Sequence, residues 1–208
     1  TQGLGESKLA ERIQKIENSL PEHIKLAYLP QPGIVRLRLS ASGQNKSELE
    51  DGVNQFCRKL LNEIPELIFG FDDVLLEEVI GTLLTGSKKS LSTAESCTGG
   101  YLAHLITSIP GSSNYYYGSV ISYSNDVKMD ELYVSAADLE KYGAVSRQVV
   151  EQMARGVKEK FHTDYSLATS GVAGPDGGTK EKPVGTIWIA LVSEKGVQSK
   201  LLHLGEHR

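Results

Sequence analysis

The sequence predicts an α/β fold in which helices cover a mixed β-sheet, preceded by a small α+β domain. Three observations support this prediction. After about residue 90, apolar runs of strand length alternate with helical patterns, which is typical of an α/β sheet. The last two apolar runs flank Glu194-Lys195-Gly196, a hairpin signal that makes the sheet mixed. The first 70 residues instead show two helical patterns and three short strand-like runs.

The N-terminal domain is predicted over residues 1–70. Apolar residues recur at helical spacing from Ser7 to Leu20. Residues 24–29 and 34–40 are expected to form a hairpin, because apolar and arginine residues alternate in the second run. Ser47 and Glu50 have the spacing of a capping box for a second helix. A short strand over 67–69 would complete the order α-β-β-α-β.

The C-terminal domain is predicted over residues 71–208. Its first helix is expected to be capped by Asp72 or Asp73 and ended by Gly86. Further helices are expected over 99–109 and after the serines at 135 and 146. The predicted strands cover residues 90–94, 116–123, 165–170, 186–192 and 197–204.

Composition excludes several classes of function. The chain of 208 residues is 39% hydrophobic and 23% charged, and it has no apolar run long enough for a bilayer, so no membrane association is expected. A net charge of -4 offers no bulk attraction for nucleic acid. Two cysteines fit a reducing cytoplasm. No His/Cys/Asp set has ligand spacing, so neither a metal nor a cofactor is expected. Because the chain starts with Thr1, we expect it to begin inside a longer protein.

The stretch from Thr93 to Gly100, TAESCTGG, follows a predicted strand and opens a predicted helix. Ligands of α/β sheets bind at such turns, where backbone N–H groups are free. Ser96 would lie at the rim, and Thr98, Gly99 and Gly100 would offer donors to a phosphate or an oxyanion. The simpler alternative is that Ser96 or Thr98 only caps the helix.

A second loop, Ser170 to Thr179, reads SGVAGPDGGT after another predicted strand. The loop contains more glycines than a single turn requires, which indicates a backbone cradle for an anion or a planar group. The alternative is a flexible hairpin loop. Lys182, just beyond this loop, could reach a phosphate.

A third segment holds Tyr123 and Lys128, which bracket a predicted strand end. A desolvated lysine beside a serine can act as a general base, whereas an exposed lysine would stay protonated. Cys97 is better explained as a buried structural cysteine than as a nucleophile.

Together these segments, with Gly143-Ala144-Val145-Ser146, resemble the competence/damage-inducible (CinA) protein family. The C-terminal domain of that family is similar to the nicotinamide-nucleotide amidases. The resemblance covers about residues 71–208, and residues 1–70 resemble the KH-like middle segment of the long family members.

The resemblance implies hydrolysis of the carboxamide of nicotinamide mononucleotide to nicotinate mononucleotide and ammonia. Ser96 is expected to attack the carbonyl, Lys128 to accept its proton and Tyr123 to orient the lysine, with Ser113 as the other candidate nucleophile. The expected substrate-binding residues are Thr98, Gly99, Gly100, Ser113, Ser170, Gly171, Gly174, Asp176 and Arg208.

The chain departs from the family pattern in two places. The family continues its last strand into an acidic-Arg pair and a closing helix, whereas this sequence reads Leu204-Gly205-Glu206-His207-Arg208. A missing helix would expose an apolar sheet face. The KH-like segment lacks a Gly-x-x-Gly loop, so we expect no RNA binding and a spacer or dimerisation role. A cytoplasmic homodimer is expected. The alternatives to an amidase are a nucleotide-binding module without turnover and an interaction scaffold.

Overall fold

The structure is a computed structural model that describes residues 1–205. The chain contains two compact units that divide between Val79 and Ile80. The predicted α/β class, with a mixed sheet after a small α+β domain, is confirmed. Within the described residues, no helix combines the length and apolarity needed to cross a membrane.

The first unit is built on an antiparallel hairpin. Its elements are α1 (Glu6–Glu17), β1 (Ile24–Gln31), β2 (Ile34–Ala41) and α2 (Lys46–Glu63). The two strands pair from end to end, and the turn uses Gly33 at a φ of +78°, a conformation that glycine adopts without strain. Both helices bury an apolar stripe against the hairpin. The buried core consists of Leu9, Ile13, Val35, Leu60 and Ile64.

Two local predictions for the first unit are wrong. Asn45, rather than Ser47, caps α2, because the Asn45 side chain accepts a hydrogen bond from the Ser47 N–H at 3.1 Å. The predicted strand at 67–69 does not form. The Leu67 N–H donates to the Ile64 carbonyl, and the Leu67 carbonyl accepts from the Gln2 N–H.

The second unit contains a five-stranded sheet with strand order β4-β3-β5-β6-β7. β3 is parallel to β4 and β5, whereas β6 and β7 run antiparallel. Its strands are β3 (Leu91–Glu95), β4 (Tyr116–Ile121), β5 (Tyr165–Gly171), β6 (Thr186–Ser193) and β7 (Gly196–His203). The division between the units falls inside α3 (Leu76–Ser87). The other helices of the second unit are α4 (Tyr101–Thr107), α5 (Asn125–Leu132), α6 (Ala136–Tyr142) and α7 (Arg147–Phe161), with a 3-10 turn over Ser112–Asn114.

Helices cover both faces of this sheet. α7 lies against one face, where Val150, Met153 and Val157 pack with alanines of the central strands. α3 and α4 cover the other face around Leu91 and Tyr115. This burial holds the parallel strands in register and so fixes the edge at which their carboxyl ends meet.

The start and end of α3 differ from the prediction. Asp73 pairs with Arg36 at 2.8 Å and does not cap the helix. The carboxylate of Glu78 instead accepts from the Leu75 N–H at 2.8 Å. Gly86 lies inside α3, and the chain leaves the helix through Lys88 at a φ of +54°.

α5 is a helix that the sequence patterns do not predict. Ser124 caps it by accepting from the Val127 N–H at 3.2 Å. α5 lies against α7 at Gly156, where a Cβ would overlap the Leu132 carbonyl oxygen. By contrast, the helix starts predicted at Ser135 and Ser146 are confirmed, and both side chains cap.

Candidate active site

A cleft of about 310 Å³ opens where β3 and β5 end. The carboxyl ends of parallel strands meet at one edge of a sheet, which is the usual ligand site of such folds. Several segments line the cleft: the turn after β3, the start of α5, the segment after α6 and the glycine-rich loop after β5. The lining residues are Ser96, Cys97, Tyr123, Asn125, Lys128, Ala144, Val145, Gly171, Val172, Ala173, Gly174, Asp176 and Gly177.

The structure brings Ser96 and Lys128 together at the base of this cleft. The Lys128 side chain is 1% exposed, and its Nζ lies 3.2 Å from Ser96 Oγ. α5 turns the lysine inward, because Lys128 and Leu132 lie one turn apart on its buried face. Ser96 directly follows β3, and its N–H donates to the Thr169 carbonyl on β5 at 3.0 Å.

Two backbone carbonyls orient the lysine amine. Nζ donates to the carbonyl oxygens of Ser122 at 2.6 Å and of Ser124 at 3.4 Å. A neutral amine has two N–H donors and one lone pair. The amine also contacts Ser96 Oγ, to which an ammonium would donate. In the neutral form, the two N–H groups can serve the two carbonyls, and the lone pair can then accept the Ser96 hydroxyl proton, as a general base requires.

Burial lowers the pKa of Lys128 below its usual value of 10.5, because the apolar surroundings disfavour the ammonium form. Within residues 1–205, no carboxylate forms an ion pair with this amine to reverse the effect. The condition set by the sequence analysis, a desolvated lysine beside a serine, is therefore met in the structure.

The start of α4 differs from the expectation of free backbone donors. The buried carboxylate of Glu95 accepts from the N–H groups of Gly100 at 3.0 Å, Leu102 at 3.0 Å and Ala103 at 2.7 Å. The Gly99 N–H donates to the Ser96 carbonyl. The predicted anion site at Gly99 and Gly100 is thus occupied by a side chain of the protein itself.

Two other backbone donors remain beside Ser96. Among the hydrogen bonds of residues 1–205, the N–H groups of Cys97 and Thr98 donate to no other residue. The Thr98 hydroxyl hydrogen-bonds the Thr169 hydroxyl at 2.7 Å, which tethers the turn to β5. The N–H that follows a nucleophile is a common oxyanion donor.

Cys97 lines the cleft next to Ser96, but its environment does not activate it. Burial raises the pKa of its thiol, since the low-polarity surroundings disfavour the thiolate. The thiol is therefore a poor nucleophile at neutral pH.

The glycine-rich loop forms the opposite wall, and the structure assigns a structural contact to one of its predicted binding residues. The Ser170 hydroxyl is buried and donates to the Ala144 carbonyl at 2.8 Å. Gly171 and Gly174 line the cleft, and a Cβ on Gly174 would lie 2.6 Å from Val184. Asp176 is exposed at the rim.

The predicted role of Tyr123 is not supported by its position. Tyr123 lines the cleft but is 67% exposed. Within the described chain, its hydroxyl makes no hydrogen bond to Lys128. The carbonyls of its neighbours Ser122 and Ser124 orient the amine instead.

One further predicted residue is not brought to the cleft. Ser113 lies in the 3-10 turn before β4, and β4 is parallel to β3. Five residues of strand, roughly 16 Å, separate that end of the sheet from Ser96. Arg208 lies outside the described residues.

Three features of the site are not predicted from the sequence: Glu95 as the cap of α4, the two carbonyls that hold Lys128, and Lys182 as a link to the end of α6. The Lys182 amine donates to the Tyr142 carbonyl at 2.5 Å. Backbone acceptors carry no sequence signal. Ser124-Asn125-Asp126 did carry one, because it is a helix N-cap pattern.

Comparison with known proteins gives consistent matches. The model of the CinA C-terminal domain matches residues 73–208, and that of the damage-inducible protein CinA KH domain matches residues 1–70. CinA-like proteins of Cytophaga hutchinsonii and Flavobacterium psychrophilum are 50% and 48% identical over all of this chain and 50% of their own lengths. The chain thus spans about half the length of the curated relatives it matches.

Solved structures match as well. The competence/damage inducible protein CihA from Agrobacterium tumefaciens is 40% identical, with a TM-score of 0.61 over 62% of this chain and 79% of that one. The competence-damaged protein (CinA) superfamily protein ECK1530/EC0983 from Escherichia coli is 34% identical, with a TM-score of 0.59 over 61% and 74%.

Proposed function

The chain belongs to the CinA family, and on that premise we propose that its second unit hydrolyses the carboxamide of nicotinamide mononucleotide. The products would be nicotinate mononucleotide and ammonia. Ser96 is the proposed nucleophile and Lys128 the proposed general base and acid.

The observation that carries this proposal is the buried Lys128 amine, 3.2 Å from the Ser96 hydroxyl. A buried lysine without a carboxylate partner is costly to keep, because folding must strip its amine of water. A serine hydroxyl needs a base before it attacks an amide. A lysine of lowered pKa supplies that base, and both groups face one cleft.

In the acylation step, Ser96 Oγ forms a bond to the carboxamide carbon while Lys128 Nζ takes the hydroxyl proton. The carbonyl oxygen becomes an oxyanion, for which the N–H groups of Cys97 and Thr98 are the proposed donors. The Lys128 ammonium then gives its proton to the departing nitrogen as the C–N bond breaks. Ammonia leaves, and an ester on Ser96 remains.

In the second step, water attacks the ester carbon and Lys128 accepts one proton from that water. As the ester bond breaks, the Lys128 ammonium gives that proton to Ser96 Oγ, and the acid product loses its remaining proton to solvent and leaves as the carboxylate. The neutral amine is thereby restored, so that no metal or redox partner is required.

The cleft offers groups that suit a pyridine nucleotide. Val145, Val172 and Ala173 form an apolar wall for a planar ring. Asp176 at the rim can accept from ribose hydroxyls. The Glu95 carboxylate already occupies the N-terminus of α4, so the substrate phosphate needs a different positive group. Lys182 is the proposed group: its amine now donates to the Tyr142 carbonyl and could donate to phosphate oxygens in its place.

Ammonia release from nicotinamide mononucleotide tests this function. The parent chain should release ammonia, and Ser96→Ala should lose about 1,000-fold or more of the rate. Ser113→Ala is the matched control and should keep the parent rate, because Ser113 lies at the other end of the sheet. Circular dichroism would confirm that all three proteins are folded.

Two outcomes would contradict the proposal. Equal release by the parent and Ser96→Ala would remove Ser96 from the chemistry. Nucleotide binding detected by calorimetry, with no ammonia release by the folded parent, would favour a nucleotide-binding module without turnover.

A further inference from the structure

Glu95 is a fully buried carboxylate that the proposed reaction does not use. It is the last residue of β3 and 0% exposed. Its two oxygens accept three N–H groups from the turn and first residues of α4, at 2.7–3.0 Å. Hydrogen bonds to a charged acceptor are about twice as strong as neutral ones. The side chain therefore ties β3 firmly to α4.

The side-chain bonds of Glu95 close the turn that contains Ser96. Gly100, at a φ of +99°, is the N-cap of α4, and its N–H donates to the carboxylate. Only four residues, including Ser96, lie between the two bonded positions. The carboxylate thus limits the positions that Ser96 Oγ and the N–H groups of Cys97 and Thr98 can adopt.

The backbone of Glu95 reaches the other member of the pair. The Ser122 N–H donates to the Glu95 carbonyl at 2.8 Å, and the Ser122 carbonyl accepts from the Lys128 amine at 2.6 Å. Glu95 therefore restrains the Ser96 turn through its side chain and the carbonyl that binds Lys128 through its main chain.

Glu95 does not line the cleft, so it has no direct access to a substrate. We propose that Glu95 is a positioning residue that sets the distance between Ser96 Oγ and Lys128 Nζ. This inference rests on the proposed function only in taking Ser96 as the nucleophile.

The rate at which phenylmethanesulfonyl fluoride modifies Ser96 tests the inference without any nucleotide substrate. Intact-protein mass spectrometry would follow the modification, with Ser96→Ala as the blank. Glu95→Gln keeps the side-chain length but replaces one acceptor oxygen with an NH2 group facing the α4 amides. We expect its rate per folded molecule to be about 10- to 100-fold below that of the parent, since small misplacements cost that much.

A matched control and a second variant complete the experiment. Glu159→Gln makes the same chemical change at an exposed position of α7 and should react at the parent rate. Glu95→Asp keeps the charge, so it should recover part of the rate. If Glu95→Gln does not fold, Glu95→Asp takes its place in the rate comparison. A purely structural role would reduce the folded fraction and leave the rate per folded molecule unchanged.

The outcomes separate the two proposals. If Ser96 of the parent is not modified, the nucleophile of the proposed function is wrong. If Ser96 is modified equally fast in the parent and in folded Glu95→Gln, the positioning role is wrong. Where Glu95→Gln does not fold, the same result for Glu95→Asp has that meaning.

Discussion

Lys128 is the residue at which the proposed activity and the stability of the fold oppose each other. Its pKa is lowered by burial in the folded protein, so the unfolded chain binds more protons than the folded one between the lowered pKa and 10.5. Stability is therefore lost as pH falls from the usual lysine pKa of 10.5 towards the lowered value, and it is recovered as pH rises. A protein without a need for this amine would be more stable with an apolar side chain there.

We predict that Lys128→Met raises the melting temperature at pH 7 and abolishes ammonia release. Methionine has a similar length and needs no solvation, so we expect a gain of about 1–2 kcal/mol. For a chain of this size that corresponds to roughly 2–8 °C. Differential scanning calorimetry would measure the shift, with the exposed Lys180→Met as control. A lower melting temperature for Lys128→Met would show that the amine stabilises the fold.

At the scale of elements, local signals predicted the helices whose buried faces are apolar. α7 follows the N-cap Ser146 and buries Val149, Val150 and Met153. α5 escaped prediction because its buried face carries Lys128, so the apolar stripe that marks a helix is interrupted. The buried lysine thus hides this helix from an analysis of periodicity.

The packing of α5 on α7 gives a prediction at the same scale. Gly156→Ala should destabilise the protein by about 1–3 kcal/mol, because its Cβ would overlap the Leu132 carbonyl. Gly86→Ala is the matched control. It is also a helical glycine, but a Cβ there meets no atom within 4 Å, so we expect a gain of about 0.5–1 kcal/mol. Urea unfolding of both variants would measure these changes.

The Gly156→Ala variant also tests how the position of α5 affects the site. If α5 must move to admit the new methyl group, Lys128 moves with it, and the reaction of Ser96 should slow in the folded variant. Unchanged stability of Gly156→Ala would contradict the close helix contact.

At the scale of the whole molecule, the sequence predicted the sheet and the edge at which a site would form. Ser96 and Lys128 could be proposed because a hydroxyl and an amine followed strand-like runs. Their 3.2 Å approach could not be predicted, because it depends on the order of β3 and β4 and on the path of α5. The positions of Ser113 and Tyr123 depend on the same tertiary arrangement.

The opposite edge of the sheet carries an acid-sensitive contact. Asp164 accepts from the Lys89 amine at 2.8 Å and from the Ser90 N–H at 2.8 Å, which joins the starts of β3 and β5. The Lys89 hydrogen bond, followed by that of the Ser90 N–H, lowers the pKa of Asp164 to about 2. A lowered carboxyl pKa stabilises the fold above the unfolded value of 3.8, and this stabilisation is lost as pH falls to about 2.

We predict that Asp164→Asn is less stable than the parent at pH 7 and that the difference shrinks as pH falls from about 4 to about 2. Urea unfolding at several pH values would measure it. Asp130→Asn, a substitution at an exposed position of α5, should have the same free energy of unfolding as the parent at every pH. A stability difference for Asp164→Asn that does not depend on pH would contradict the assignment of the charge effect to Asp164.

The central claim is that a neutral, buried Lys128 activates Ser96. The most direct test is the pH dependence of kcat for ammonia release from nicotinamide mononucleotide, with Ser96→Ala as the inactive control. Because only the neutral amine can accept the serine proton, kcat should be low in acid. It should rise as pH passes the lowered pKa of Lys128, at a midpoint below the usual value of 10.5. A kcat that stays constant through this range, or rises only near 10.5, would contradict the claim.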